Sequence, residues 1–203
     1  MTATDRSEWV AFLRAIVADP DDDTLRLVAA DWLEENGQPE RADFIRVQVE
    51  LARLAASGLG ETPQAEALRR RERVYLGPKS HYALTWAAEE CPELVRILPR
   101  EKGSNPLATP IEGADRVTYR RGFVEAVRCS GEEWLQHGAA IRERHPVREV
   151  TLTDCAAIDR GEWWKALLTL RGLALLYISG APGVATTEWL GPRLLGTRVY
   201  NVG

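Results

Sequence analysis

The chain has 203 residues, 45% of them hydrophobic and 28% charged, enough to bury a full core and ordinary for a globular protein. A net charge of −4 supplies no whole-molecule field that would draw nucleic acid or an anionic membrane. No apolar run reaches about 18 residues, so no helical membrane span is expected.

The opening segment MTATDRSEWV lacks the basic start and apolar core of an export signal, so none is expected here. Ser7 or Asp5 is suited to cap a first helix whose apolar face is Trp9, Phe12, Leu13 and Ile16. Asp19-Pro20 ends that helix, because proline disfavours helical geometry in the residue before it. Asp21, Asp22 and Asp23 open the next one, where carboxylates meet the positive end of the helix dipole. Its predicted stripe is Leu25, Val28, Ala29 and Trp32, with Trp32 buried against Phe12 or Ile16. Asn36-Gly37 supplies a left-handed C-terminal cap. A third helix is predicted from near Pro39 through Phe44, Ile45, Val47, Val49, Leu51 and Leu54, and a fourth over Pro63 to Arg73. The stretch His81 to Leu98 reads as helical in part, and GSNPLATPIEG (Gly103 to Gly113) as a loop or linker. These bounds give a helical module over 1–100, a linker over 101–115 and a second region over 116–203.

The first of these regions resembles a known family. The motifs are Phe12-Leu13-x-Ala15-Ile16, Pro20-x-Asp22-Asp23, Arg26-Leu27, Ala30-Asp31-Trp32-Leu33-Glu34-Glu35 and Phe44-Ile45-Arg46-x-Gln48. Together they resemble the bacterial repeat-companion domain, a short helical module that often precedes leucine-rich-repeat-like segments and has no characterised biochemical function. The chain departs from that pattern at Ala29, where the family usually carries an aromatic, which implies different packing beside Trp32. The resemblance carries no catalytic residues with it.

The carboxy-terminal half holds a weak repeat on an apolar-x-x-apolar-x-apolar frame. Its copies are Val124-x-x-Val127-x-Cys129, Val147-x-x-Val150-x-Leu152, Leu173-x-x-Leu176-x-Ile178 and the poorer Leu194-x-x-Thr197-x-Val199. They recur every ~21–26 residues, inside the leucine-rich-repeat range. Helix-like stretches with a Glu-Trp pair fall between or before strands: Glu133-Trp134, Glu162-Trp163-Trp164 and Glu188-Trp189. Strands separated by helical crossovers pair in parallel. The expected class is therefore α/β: an amino-terminal helical module plus a small leucine-rich-repeat-like parallel strand–helix sheet.

Chemistry-bearing residues each have a plainer reading. The Asp19–Asp23 run lacks the spacing and glycine of a calcium loop and fits helix capping better. Asp31 and Glu35 share a helix face, but no histidine or nucleophile lies near them in sequence. Cys91, Cys129 and Cys155 are odd in number and widely spaced, which points to free thiols in a reducing cytoplasm. Cys129, Cys155, His137 and His145 fit no zinc-ligand spacing, and a cysteine nucleophile served by either histidine rests on nothing further. Neither phosphate-loop pattern is present. Arg69, Arg70, Arg71 and Arg73, with a smaller pair at Arg120 and Arg121, would suit nucleic acid only if gathered on one face undiluted by Glu66 and Glu72.

The expected function is a non-enzymatic protein–protein interaction or scaffold module, without catalytic residues, cofactor or metal. The alternative is an accessory subunit of an enzyme or nucleic-acid-associated complex, and a third class is a structural subunit stable only in a complex. A protein partner of unknown identity is expected, with neither membrane nor nucleic acid. Side chains alternate across a strand. The residues turned away from the helices are therefore Arg128, Thr151, Tyr177 and Arg198, then Ser130, Thr153, Ser179 and Tyr200. Arg128, Thr151, Tyr177, Arg198 and Tyr200 are the expected partner-binding set.

Overall fold

The computed structural model describes residues 3–77, 80–97, 111–155, 158, 160–179 and 190–201. It divides into two compact units, one of residues 1–114 with 119–123, the other of 115–118 with 124–203.

The helical unit holds α1 (Ala3–Ala18), α2 (Asp23–Glu35), α3 (Pro39–Ala56), α4 (Pro63–Leu76) and α5 (Tyr82–Glu90). α1 begins before Asp5 and Ser7, so neither caps it. The other punctuation follows the sequence. The Asp22 carboxylate accepts from the Thr24 amide at the start of α2, and the Thr24 hydroxyl first and that amide second hold it below its ordinary pKa. α2 ends with Gly37 at φ +77, the Gly37 amide donating to the Glu34 carbonyl and the Gln38 amide to Leu33. Thr62 caps α4 through the Ala65 amide. Part of the predicted linker is structured, since Ile111–Glu112 (β2) pairs antiparallel with Arg96–Ile97 (β1). Residues 103–110 of that loop lie outside the described residues.

The stripe of α2 differs from the predicted one. Arg26, Ala29, Ala30 and Leu33 are buried, whereas Val28 is 47% exposed. The reason is Arg26, a charged residue with no solvent exposure, which periodicity scores as outward. Trp32 does meet Phe12, with centroids 5.8 Å apart, and stacks on Trp9 at 5.9 Å. It is only half-buried, and its indole N–H donates to Glu8, so it is not a full core position.

Into this unit fits a hairpin tip, residues 119–123. Arg121 (φ 49) and Gly122 (φ 85) both take positive φ, as a two-residue type I′ turn requires. Phe123 joins Ile16, Ala29, Ala30, Leu33, Ala42, Ile45 and Val49 in one core cluster. Arg26 donates to the carbonyls of Pro20 (2.9 Å) and Arg121 (3.4 Å) and lies 5.2 Å over the Phe123 ring. The Gln48 side-chain carbonyl accepts from the Gly122 amide at 2.7 Å, and its amino group donates to the Tyr119 carbonyl (3.4 Å) and to Glu72 (2.8 Å).

A five-stranded sheet has the order β3-β4-β5-β6-β7: β3 (Val117–Arg120), β4 (Phe123–Ser130), β5 (Glu149–Thr153), β6 (Leu175–Ile178) and β7 (Arg198–Asn201), and all of it but Tyr119, Arg120 and Phe123 belongs to the second unit. The strands from β4 to β7 run parallel in sequential order, as the repeat frame requires. Val127, Val150 and Leu176 lie in one register row, and Leu152 and Ile178 have no exposure. α6 (Gly131–Arg144) and α7 (Arg160–Leu170) form the first two crossovers. Crossovers of one hand that advance in one direction place their helices on one face. These two pack together: the Trp134 indole donates to Thr169 at 3.0 Å, and Arg142 donates to the carbonyls of Thr169 and Arg171 at 2.6 Å each. The predicted helix at Glu188-Trp189 lies outside the described residues.

If Leu152 is a full core position, Leu152→Ala will cost about 2–5 kcal/mol in urea unfolding. Val28→Ala will stay within about 0.5 kcal/mol, because that side chain faces water. Equal losses at the two sites would contradict the assigned burial.

Candidate functional site

Register fixes which outward residues are neighbours. Arg128, Thr151, Tyr177 and Tyr200 pair across β4, β5, β6 and β7 in one row. Ala126, Glu149, Leu175 and Arg198 form the adjacent row. The sequence frame had put Arg198 beside Tyr177. The fourth copy is displaced by two residues, so that Val199 rather than Thr197 lies opposite Leu176. The slot beside a leucine with no exposure favours an apolar side chain over a hydroxyl. A two-residue shift keeps each side chain on its own face, so Arg198 and Tyr200 still point outward.

Tyr177 and Tyr200 stack with centroids 5.3 Å apart and planes 21° from parallel. Tyr200 is 44% exposed on the last strand of the sheet, Arg128 and Arg198 are exposed, and Tyr177 and Thr151 are half-buried. Among the described residues neither Arg128 nor Arg198 takes part in an ion pair. Two of the hydroxyls one step along, those of Ser130 and Thr153, are used internally. Ser130 caps α6 in a reciprocal box with Glu133, and Thr153 donates to the Cys129 carbonyl. Burial pushes the Glu133 carboxyl up, but the Ser130 amide and hydroxyl and the Arg116 guanidinium, 2.6 Å away, bring it below its ordinary value.

The other clusters raised by the sequence are engaged locally. Arg46 bridges Asp31 (2.7 Å) and Glu34 (2.6 Å), so the Asp31 carboxylate singled out in α2 is held in an ion pair. Arg69 pairs with Glu61 at 3.0 Å, Arg73 with Glu66 at 3.1 Å, Arg70 with Glu66 at 3.6 Å, and Arg71 with Asp43. The Arg73 contact is the main reason Glu66 titrates below its ordinary range. A cluster whose charges are answered at this range offers little field to a phosphate backbone.

Cys91, Cys129 and Cys155 are free and buried. Burial, then the Glu133 charge, pushes the Cys129 thiol up to about 12, and burial raises Cys155 to about 11. A nucleophilic cysteine needs the opposite shift. His145 is 3% exposed directly after α6, its amide donating to the Ile141 carbonyl. Among the described residues no group of three or more His, Cys, Asp or Glu side chains could hold a metal ion, and no helix is long and apolar enough to cross a membrane.

Sequence reasoning did not anticipate the polar grip of Arg26 and Gln48 on the hairpin tip. A signal was present: Gly122 follows Arg121 between Val117-x-Tyr119 and Phe123, as a two-residue turn between strands would show. Comparison of the chain with protein-family models, with curated proteins and with solved structures found no match in any of the three.

Thiol reactivity will follow burial, reinforced at Cys129 and Cys155 by their raised pKa. A disulfide reagent at pH 8 will modify the three cysteines at least tenfold faster in denaturant than in the native protein. The stability carried by Cys129 and Cys155 is complete below the ordinary thiol value of 9.0 and is lost as pH rises through about 11 and 12. One native thiol reacting as fast as in the unfolded chain would overturn the assignment.

Proposed function

We propose that the protein is a non-enzymatic interaction or scaffold module of the reducing cytoplasm, holding a protein partner on the outward face of its parallel sheet. The observation that carries this reading is the row Arg128–Thr151–Tyr177–Tyr200, with the two tyrosines stacked at the end of the sheet. Helices take up one face of a strand–helix sheet, so the opposite face is the natural place for a partner. Tyrosine and arginine are the residue types that dominate binding hot spots, because each offers a large contact area and a directional polar end. Stacking favours this rationale, since it fixes both rings before a partner arrives and reduces the ordering cost of association. Arg128 and Arg198, outside any ion pair among the described residues, have donors to offer an acidic or carbonyl-rich partner surface. The paired arginines of α4 argue against nucleic acid as the partner.

The test is affinity capture from the native cell, with the recovered protein then titrated against purified variants. Tyr177→Ala and Tyr200→Ala will each weaken that complex by about tenfold or more, equivalent to ~1.4 kcal/mol. Circular dichroism will show both variants folded, because Tyr200 is largely exposed and the stack lies outside the core. If both variants fold and hold the partner as tightly as the parent chain does, the surface lies elsewhere.

A further inference from the structure

The motif residues of α2 and α3 have a use that the sheet-face reading does not touch. Arg26, Ile45 and Gln48 all belong to the helical motifs that stand out in the sequence, and all three close on residues 119–123. What they contact is mainly backbone. Arg26 donates to the Arg121 carbonyl, while Gln48 both accepts from the Gly122 amide and donates to the Tyr119 carbonyl. Backbone contacts of that kind recognise the shape of a turn more than the identity of its side chains.

Three positions add sequence requirements. A Cβ on Gly122 would lie 2.8 Å from both Cα and Cβ of Ile45 and closer still to its Cγ1, at a φ of +85 that side chains rarely adopt. Glycine is therefore required at that position. Phe123 is gripped on its ring, with the Arg26 guanidinium over it and Trp9 stacked 6.2 Å away. Tyr119 is 7% exposed, donates its hydroxyl to Glu90 at 3.1 Å, and meets Phe44 edge-on at 5.6 Å. The groups that line this cleft are themselves out of solvent: Arg26 is fully buried and Gln48 is 6% exposed.

We propose that the helical unit is a receptor for a β-hairpin tip of the form aromatic–x–x–Gly–aromatic, occupied here by Tyr119–Phe123 of the same chain and able to bind such a tip supplied separately. A tip attached to the chain competes at an effective concentration of about millimolar or above, so the unaltered protein masks the site. Gly122→Val vacates it through the clash with Ile45.

The experiment titrates the full-length Gly122→Val chain with a backbone-cyclised hairpin peptide carrying Thr118–Val124 and follows the thermal midpoint. The midpoint will rise with peptide concentration as mass action requires, and a variant that folds only when peptide is present gives the same sign. The same peptide with valine at the glycine position will bind at least tenfold more weakly. Adding Gln48→Ala to the Gly122→Val chain will reduce the response by a similar factor. Phe123→Ala, which empties the aromatic slot but leaves the backbone contacts of the turn in place, serves as a second, partly vacated chain. The proposal fails if the peptide raises the midpoint of neither chain, or if the valine peptide or the Gln48→Ala chain responds as strongly. Failure here would leave the sheet-face reading untouched, because no residue of that row is altered.

Discussion

A guanidinium with no access to water organises the helical unit. Burying an arginine carries a large desolvation cost unless its donors are met. Arg26 meets this condition in part, through one carbonyl before α2, that of Pro20, and a longer contact to one on the hairpin tip, that of Arg121. The second of these holds a non-glycine residue at φ 49, a conformation that costs on the order of 1–3 kcal/mol when unsupported. Asp21 and Asp23 lie 3.7 and 3.6 Å from the Arg121 guanidinium and favour the same placement. The strain at Arg121 and the burial of Arg26 are thus answered by a single arrangement, with the planar face of Arg26 left for the Phe123 ring.

Gln48 completes the arrangement in a way that a charged residue could not. Its amide carries a donor group and an acceptor, and the turn presents an acceptor at Tyr119 and a donor at Gly122. A glutamate would answer the Gly122 amide but repel the Tyr119 carbonyl, and a lysine the reverse. The same logic recurs around Arg41, 3% exposed, whose guanidinium pairs with Glu90 at 2.8 Å and lies 4.6 to 5.5 Å from the rings of Trp86, Tyr119 and Phe44. Arginine suits both places because a flat, delocalised cation can hydrogen-bond at its edge while stacking on its face, which an ammonium group cannot do.

What the sequence made legible were the features set by local physics. Asp19-Pro20, Asp22 and Gly37 act within a few residues of themselves, and their caps and breaks can be read without a fold. The first three strand copies were legible because a parallel sheet with buried rows forces apolar residues to recur. The misreadings came where a partner distant in sequence decides the outcome. Arg26 looks solvent-facing until a carbonyl 95 positions later arrives to accept from it. Val28 then turns outward because the helix rotates to bury Arg26 instead. The register of β7 depends on which side chain fills the slot beside Leu176, a choice no pattern internal to the fourth copy can make.

That two-residue displacement bears directly on the outward face. In the register of the sequence frame, Tyr177 would have Arg198 beside it, and Tyr200 would project beyond the end of β6. In the register adopted, Tyr200 comes level with Tyr177 and the two rings stack, while Arg198 moves down beside Leu175. The cause is apolar packing on the inward side, at Val199, and the effect is polar and aromatic placement on the outward side. Inward and outward residues of a strand cannot be chosen independently, because a shift that satisfies one face carries the other with it. The composition of the candidate surface is therefore a consequence of core packing, and substitutions at Val199 bear on the surface as much as those at Tyr200 do.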